Sequence, residues 1–139
     1  MEACQVNQRV RELLEIWSAP DASAAGLLCD RHDPAAPAYR IIGEDLAGEN
    51  VTYGELRCES ERFAAGLKSL GIGPGDRVAT LMGKSRCYLA TLLGIWRLGA
   101  VHVPLFTAFA PPAIAFRLTS SGARAIVCDA GRRLRPFAD

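Results

Sequence analysis

The sequence predicts an α/β fold with a parallel three-stranded βαβαβ core flanked by helices, and the stretch from 71 to 104 forms its central unit. Turn-forming residues fill the segment from Gly73 to Asp76, and a short apolar run follows at 77–82. The apolar period then becomes helical, and a second apolar run at 100–103 follows. Two strands joined by one helix of this length indicate a right-handed βαβ unit with parallel strands.

Composition indicates one compact domain and excludes several classes of protein. The chain has 139 residues, half of them hydrophobic, and a formal net charge of +1, which gives no general attraction to nucleic acids or acidic membranes. No apolar targeting segment opens the chain. The cysteines form no CxxC pair, so they indicate reduced thiols in a cytoplasmic protein rather than disulfides or a zinc site. The cysteines are Cys4, Cys29, Cys58, Cys87 and Cys128.

The stretch 98–116 carries no formal charge and is about as long as a membrane-spanning helix. Its three prolines, Pro104, Pro111 and Pro112, would interrupt such a helix. We therefore expect two buried segments around a loop, and no membrane span.

Residues 1–37 are predicted to form an N-terminal helical extension of a single partial domain that covers 1–139. Asp21 is the expected cap of a second short helix. A strand at 38–42 and a short strand at 51–52 predict a hairpin. The first helix carries its apolar residues on one face: Val6, Val10, Leu13, Leu14 and Trp17.

The next helix has clear start and stop signals. Thr52 and Glu55 form a capping-box pattern, Gly71 provides a left-handed stop, and Ile72 provides the apolar contact that often follows it. Its predicted inward face consists of Leu56, Phe63, Ala64, Leu67 and Leu70.

Two further helices separate the strands of the core. The first begins after Ser85, its expected N-cap, and ends near Gly99; the second begins at Pro111 and ends at Gly122. A third strand follows at 124–128. The inward face of the first of these helices is predicted to be Tyr88, Leu89, Leu92, Leu93 and Trp96, with Cys87 as a small core residue.

Two glycine-rich motifs fail as nucleotide-binding fingerprints. Gly83-Lys84-Ser85 lacks the glycine that a phosphate loop needs five residues earlier, because Val78 stands there. The glycines at 71–75 precede a strand instead of following one, which does not fit a dinucleotide fold. His102 is expected to be a packed sheet histidine. We find no catalytic triad and no metal-ligand spacing.

Ligands of open parallel sheets bind at the carboxyl ends of the strands. The loops at those ends are predicted at 82–84, at 105–108 and at 129–131. Three arginines, Arg132, Arg133 and Arg135, follow the third strand directly, and a guanidinium matches phosphate geometry. These arginines are candidate phosphate ligands, and a solvated helix end is the alternative.

Several of these segments, in this order and spacing, resemble the N-terminal region of AMP-forming acyl-CoA synthetases, members of the adenylate-forming superfamily. The resemblance runs from about 38 to 131, and the 99–111 region is most similar to acetyl-CoA and related short-chain synthetases. The segments are TYGEL at 52–56, LGIGPGDRV at 70–78 and LLGIWRLGAVHVPL at 92–105.

The resemblance implies an enzyme that converts a carboxylate, ATP and CoA into acyl-CoA, AMP and pyrophosphate, with Mg²⁺ serving ATP. The family's phosphate loop, adenine motif and catalytic lysine would follow 139, so we expect an incomplete part of the adenylate-forming fold that is inactive alone. Two other hypotheses are a non-catalytic CoA- or nucleotide-binding module, and an interaction protein whose sheet is completed by a separate chain.

The resemblance also implies a CoA site. Phe106, Thr107 and Ala108 match a loop that lies against the CoA nucleotide, and Arg133 best matches an arginine past the third strand. Arg132 and Arg135 are the alternatives in register. This chain carries Thr107 and Ala108 where the family usually has glycines.

Overall fold

The computed structural model describes residues 2–43 and 45–130, and the predicted α/β fold is confirmed there. In this part of the chain, no helix has the length and apolar character needed to cross a bilayer, and the stretch 98–116 is divided between a strand, a loop and a helix. In chain order the elements are α1 (Glu2–Trp17), a π-helical turn (Gly26–Asp30), β1 (Pro37–Ile42), β2 (Gly48–Thr52), α2 (Tyr53–Ser69), β3 (Arg77–Leu81), α3 (Arg86–Arg97), β4 (Val101–Pro104), α4 (Pro111–Ser121) and β5 (Ala125–Cys128).

The strands form a parallel sheet and a separate hairpin, both as predicted. The sheet has the order β4-β3-β5, and Val78 of β3 pairs with His102 on one side and Ala125 on the other. The hairpin joins β1 and β2 in antiparallel register, with Tyr39 opposite Val51.

Helices cover both faces of the sheet. Alternate residues of β3 point to opposite faces, so neighbouring residues of this strand pack against different helices. Val78 packs with Leu67 of α2 and Ile95 of α3. Ala79, one residue further, packs with Ile114 of α4. Helices α2 and α3 therefore lie on one face of the sheet and α4 lies on the other.

A third apolar cluster attaches the hairpin to these helices. Val51 of β2 is fully buried and belongs to one cluster with Leu56 of α2 and Leu93 of α3. Ala25 and Cys29, from the helical residues before the hairpin, complete the cluster. The hairpin thus packs on the helix layer, away from the sheet itself.

The predicted ends of α2 and the predicted start of α3 are confirmed. Thr52 accepts a hydrogen bond from the Glu55 amide at 3.2 Å, and Glu55 accepts one from the Thr52 amide at 2.8 Å, which completes the capping box. Gly71 has φ +80°, and the Ile72 amide donates to the Leu67 carbonyl at 3.1 Å. Ser85 caps α3 by accepting from the Tyr88 amide.

The amino ends of the three parallel strands are tied together by backbone hydrogen bonds. The amide of Gly75 donates to the carbonyl of Gly99, that of Val101 to Asp76, and that of Arg124 to Arg77, each at 2.8 Å. All four positive-φ glycines in the described residues lie in the turns that lead into these strands. They are Gly71, Gly75, Gly99 and Gly122.

The predicted inward face of α3 is wrong in part. Its most buried residues are Ala90, Thr91, Leu93, Gly94 and Ile95, whereas most of the predicted stripe is only half-buried. Helix α2 approaches α3 closely at Gly94, where no side chain keeps the two helices apart.

Three smaller predictions are also wrong. Ser23, and not Asp21, accepts the hydrogen bond that opens the second helical segment, from the Gly26 amide at 2.9 Å. Leu70 is 75% exposed because α2 ends before it. Cys87 is exposed in the first turn of α3.

Candidate functional site

The candidate site is the space between the carboxyl ends of the neighbouring strands β3 and β4, which we call the crevice. The loop after β3 leads to α3 on one face of the sheet, and the loop after β4 leads to α4 on the opposite face. Neighbouring strands whose loops leave in opposite directions define a topological switch point, where open α/β sheets bind their ligands. The fold therefore selects this crevice as the candidate site.

The β3 side of the crevice is fixed by a contact from the next strand end. The Gly83 amide donates to the Asp129 carboxylate at 2.7 Å, although the two residues are 46 positions apart. Lys84 follows with an exposed side chain, and Ser85 begins α3. Asp129 thus holds the loop that presents Lys84.

The β4 side carries an exposed aromatic ring. The Leu105 amide donates to the Thr80 carbonyl at 2.9 Å, which extends the β4 pairing by one residue. Phe106 is 63% exposed, and its ring lies edge-on to Phe109 with centroids 5.7 Å apart. The guanidinium of Arg117 lies 4.0 Å above the Phe109 ring. This stacking holds Phe109 and leaves Phe106 facing solvent.

His102 is a packed sheet residue, as expected. Its Nε2 lies 2.7 Å from the hydroxyl of Thr80, which is itself buried, and Tyr88 lies edge-on to its ring. Burial lowers the pKa of His102, so the neutral imidazole is favoured at pH 7. A histidine engaged in this way is poorly placed to exchange protons with a ligand in the crevice.

Two arginines fix the position of α3, and therefore of the loop before it. Arg86 contacts Glu49, Glu55 and Glu59 at 2.6–3.3 Å. Its hydrogen bonds raise its pKa, and the bond to Glu59 has the largest effect. Arg97 binds both carboxylate oxygens of Asp30, at 2.7 and 2.5 Å. These contacts attach α3 to the hairpin, to α2 and to the π-helical turn.

Three of the six predicted site residues lie in the part of the chain that the structure describes. Phe106, Thr107 and Ala108 lie in the loop after β4, at the crevice. Arg132, Arg133 and Arg135 lie outside the described residues. The bond between Asp129 and Gly83 could not be read from the sequence, because no local motif relates residues so far apart.

The loop after β4 suits contact with a flat apolar group better than contact with an anion. It offers the exposed ring of Phe106, and no charged residue occurs between 105 and 110. A phosphate would need cations from elsewhere, such as Lys84 or the arginines after β5. Across residues 2–43 and 45–130, no group of histidine, cysteine or carboxylate side chains is arranged to hold a metal ion.

The model of a known protein family, described as AMP-binding enzyme, matches residues 29–138. The chain belongs to the AMP-binding enzyme family. The resemblance to the N-terminal part of AMP-forming acyl-CoA synthetases is thereby confirmed, together with the partial adenylate-forming fold.

Two curated relatives of this AMP-binding family member are acetyl-coenzyme A synthetases. That of Pseudoalteromonas translucida is 44% identical over 86 residues, which cover 61% of this chain and 13% of the relative. That of Chlorobaculum tepidum is 41% identical over 93 residues, which cover 67% of this chain and 14% of the relative. The chain thus spans about one seventh of the length of these relatives.

A solved structure shares the fold. The acyl-CoA synthetase of Brucella canis superposes with a TM-score of 0.77 and 39% sequence identity, over 81% of this chain and 21% of that one. The agreement extends beyond the βαβ unit, because a match of this length must include more than 71–104.

Proposed function

We propose that this chain is the N-terminal part of an acetyl-CoA-synthetase-like, AMP-forming acid–CoA ligase and is inactive alone. The full enzyme would convert a carboxylate, ATP and CoA into acyl-CoA, AMP and pyrophosphate, with Mg²⁺ bound to ATP. The observation that carries this proposal is the identity of 41–44% to two acetyl-CoA synthetases. The free thiols of the described cysteines agree with a cytoplasmic location.

Within that function, the crevice at β3 and β4 would contribute to the CoA site. Phe106 would stack on the base, the backbone of Thr107 and Ala108 would lie beside it, and Arg133, or Arg132 or Arg135, would bind a phosphate. The exposed ring of Phe106 at the switch point supports this assignment. The methyl group of Ala108 makes the approach of CoA less close than a glycine would.

The experiment is calorimetric titration of the purified chain with CoA and, separately, with ATP. We expect CoA to bind and Arg133→Ala to weaken binding at least tenfold, whereas Arg31→Ala, an exposed arginine in the N-terminal region, leaves it unchanged. Equal binding by both variants would refute the arginine assignment. No pyrophosphate exchange with ATP and acetate is expected, and exchange by the chain alone would refute its inactivity.

A second candidate function is that of an interaction protein whose sheet is completed by another chain. Strand β5 pairs only with β3 among the described strands. A groove of about 590 Å³ runs beside it, lined by apolar residues that include Phe63, Leu67 and Val127. If this candidate is correct, a separately expressed polypeptide carrying the family's phosphate loop and catalytic lysine will co-purify with the chain. Failure to co-purify would refute it.

A further inference from the structure

A second cleft lies between β1 and the start of α3, and it shares Lys84 with the edge of the crevice between β3 and β4. Its volume is about 430 Å³, within the range of small-molecule sites. Residues 39–42 of β1 form one wall, and residues 84, 85, 88 and 89 form the other. Of these side chains, Lys84 alone was named above as a possible cation for the crevice, and the CoA proposal assigns no role to it.

The walls of the cleft are aromatic and aliphatic. Tyr39 and Ile41 contribute from the strand, and Tyr88 and Leu89 contribute from the helix. Tyr39, Ile41 and Leu89 also pack against the cluster that anchors the hairpin. The hydrophobic core therefore fixes both walls, and the cleft is preformed for a flat apolar body.

The side chains that line the cleft include two cations and no carboxylate. Arg40 and Lys84 both line it, and no carboxylate among the described residues forms an ion pair with either. Outside the lining, Glu49, Glu55 and Glu59 all bind Arg86, so negative charge is in excess at that neighbouring cluster. Two available cations beside an apolar wall favour a ligand that carries a negative charge.

Tyr39 adds a polar group that lacks a partner. Its hydroxyl oxygen is buried and makes no hydrogen bond within residues 2–43 and 45–130. Burial raises the pKa of Tyr39, so the hydroxyl keeps its proton at neutral pH and remains a donor. Because this oxygen is closed off from solvent, the ring of Tyr39, and not its hydroxyl, forms the wall of the cleft.

We propose that this cleft binds a small aromatic anion, with the ring between Tyr39 and Tyr88 and the anionic group between Arg40 and Lys84. The aromatic walls select the body of the ligand and the two cations select its charge. The site goes beyond the proposed ligase function and does not depend on it.

The test is titration of the ¹⁵N-labelled 139-residue chain with 1-naphthyl phosphate, followed by amide chemical shifts. We expect shifts confined to β1 and the first two turns of α3, with saturation at millimolar concentration or below. Lys84→Gln and Arg40→Gln should each weaken binding about fivefold or more. Lys68→Gln, an exposed lysine at the end of α2, should leave binding unchanged.

Two further probes separate the parts of the proposal. 1-Naphthol carries the ring without the charge, and inorganic phosphate carries the charge without the ring; each should bind at least tenfold more weakly than 1-naphthyl phosphate. Equal binding of naphthol would reduce the cleft to an apolar surface, and equal binding of phosphate would reduce it to a bare ion site. Shifts spread over other elements, or no saturation, would overturn the proposal outright.

Discussion

Arg97 is the side chain through which α3 holds the π-helical turn. It is only 13% exposed, it binds Asp30 through two parallel hydrogen bonds, and its Nε donates to the buried hydroxyl of Ser60 in α2. Three elements therefore meet at one planar guanidinium. Because Nε and both terminal nitrogens of Arg97 donate hydrogen bonds, this partly buried ion pair stabilises the fold more than an exposed ion pair would.

Replacing Asp30 by Asn should lower the free energy of unfolding by about 2 kcal/mol, because it leaves the Arg97 charge without its counterion. Hydrogen bonds from Arg97 lower the pKa of Asp30 below its ordinary value. The stabilisation is therefore complete above the unfolded-state pKa and is lost as the pH falls through the folded-state value. Urea unfolding at pH 6 and pH 3 checks this.

The difference in stability between wild type and Asp30→Asn should shrink at the lower pH. Asp21→Asn, at an exposed carboxylate, is the control and should change the unfolding free energy by less than about 0.5 kcal/mol. A difference that stays constant between the two pH values would contradict the role of Asp30.

Tyr39→Phe should raise the free energy of unfolding by about 1 kcal/mol, because it removes a buried hydroxyl that lacks a partner. Urea denaturation measures the change, and Tyr88→Phe is the control, with an expected change below about 0.5 kcal/mol. A loss of stability in Tyr39→Phe would show that the hydroxyl has a partner in solution.

At the scale of elements, the contact between α2 and α3 depends on a glycine. A Cβ at Gly94 would lie 2.9 Å from the Phe63 ring and 3.0 Å from the Ser60 carbonyl oxygen. A backbone oxygen cannot move aside as a side chain can. The close approach of the two helices therefore requires a residue without a side chain at this position.

Gly94→Ala should lower the free energy of unfolding by about 1–3 kcal/mol, because the helices must separate or distort. Gly66→Ala is the matched control in α2: nothing lies within 4 Å of its Cβ position, so the higher helix propensity of alanine should stabilise by about 0.5–1 kcal/mol. Thermal or urea unfolding of both variants checks the pair. Equal effects would contradict the packing argument.

The sequence predicted helix ends better than helix faces. Thr52, Glu55 and Gly71 act within one turn of the chain, so their spacing alone predicts the caps. The buried face of α3 was missed because Ala90 and Gly94 give little hydrophobic signal, although their small size determines the packing. The strand order, and hence the crevice, depends on which face each crossover takes, and no local pattern encodes that choice.

At the scale of the whole molecule, helix α1 packs only weakly on the rest of the fold. Its apolar residues, which the sequence placed on one face, remain largely exposed: Val6 is 60% exposed, Leu14 59% and Trp17 54%. The clusters that hold the hairpin, helices and sheet contain no residue of α1. Helix α1 therefore contributes little to the burial of the apolar side chains in the rest of the fold.

Deleting residues 1–18 should change the free energy of unfolding by less than about 1 kcal/mol, because little apolar surface of α1 is buried. Val51→Ala, which truncates a fully buried side chain, is the contrast and should cost about 2 kcal/mol. Urea unfolding checks both. A large loss on deletion would show that α1 packs on the fold in solution.

The hydrogen-bonded turns at the amino ends of the parallel strands bear on how this fold tolerates changes in length. Gly75, Gly99 and Gly122 are set in left-handed conformations there, and each turn is bonded to a neighbouring one, so an inserted residue would disturb several strands together. In the loop at 106–110, the Phe109 amide donates to the Phe106 carbonyl, a bond that stays within the loop. Evolutionary insertions and engineered grafts should therefore accumulate in that loop, where new specificity can arise without refolding the scaffold.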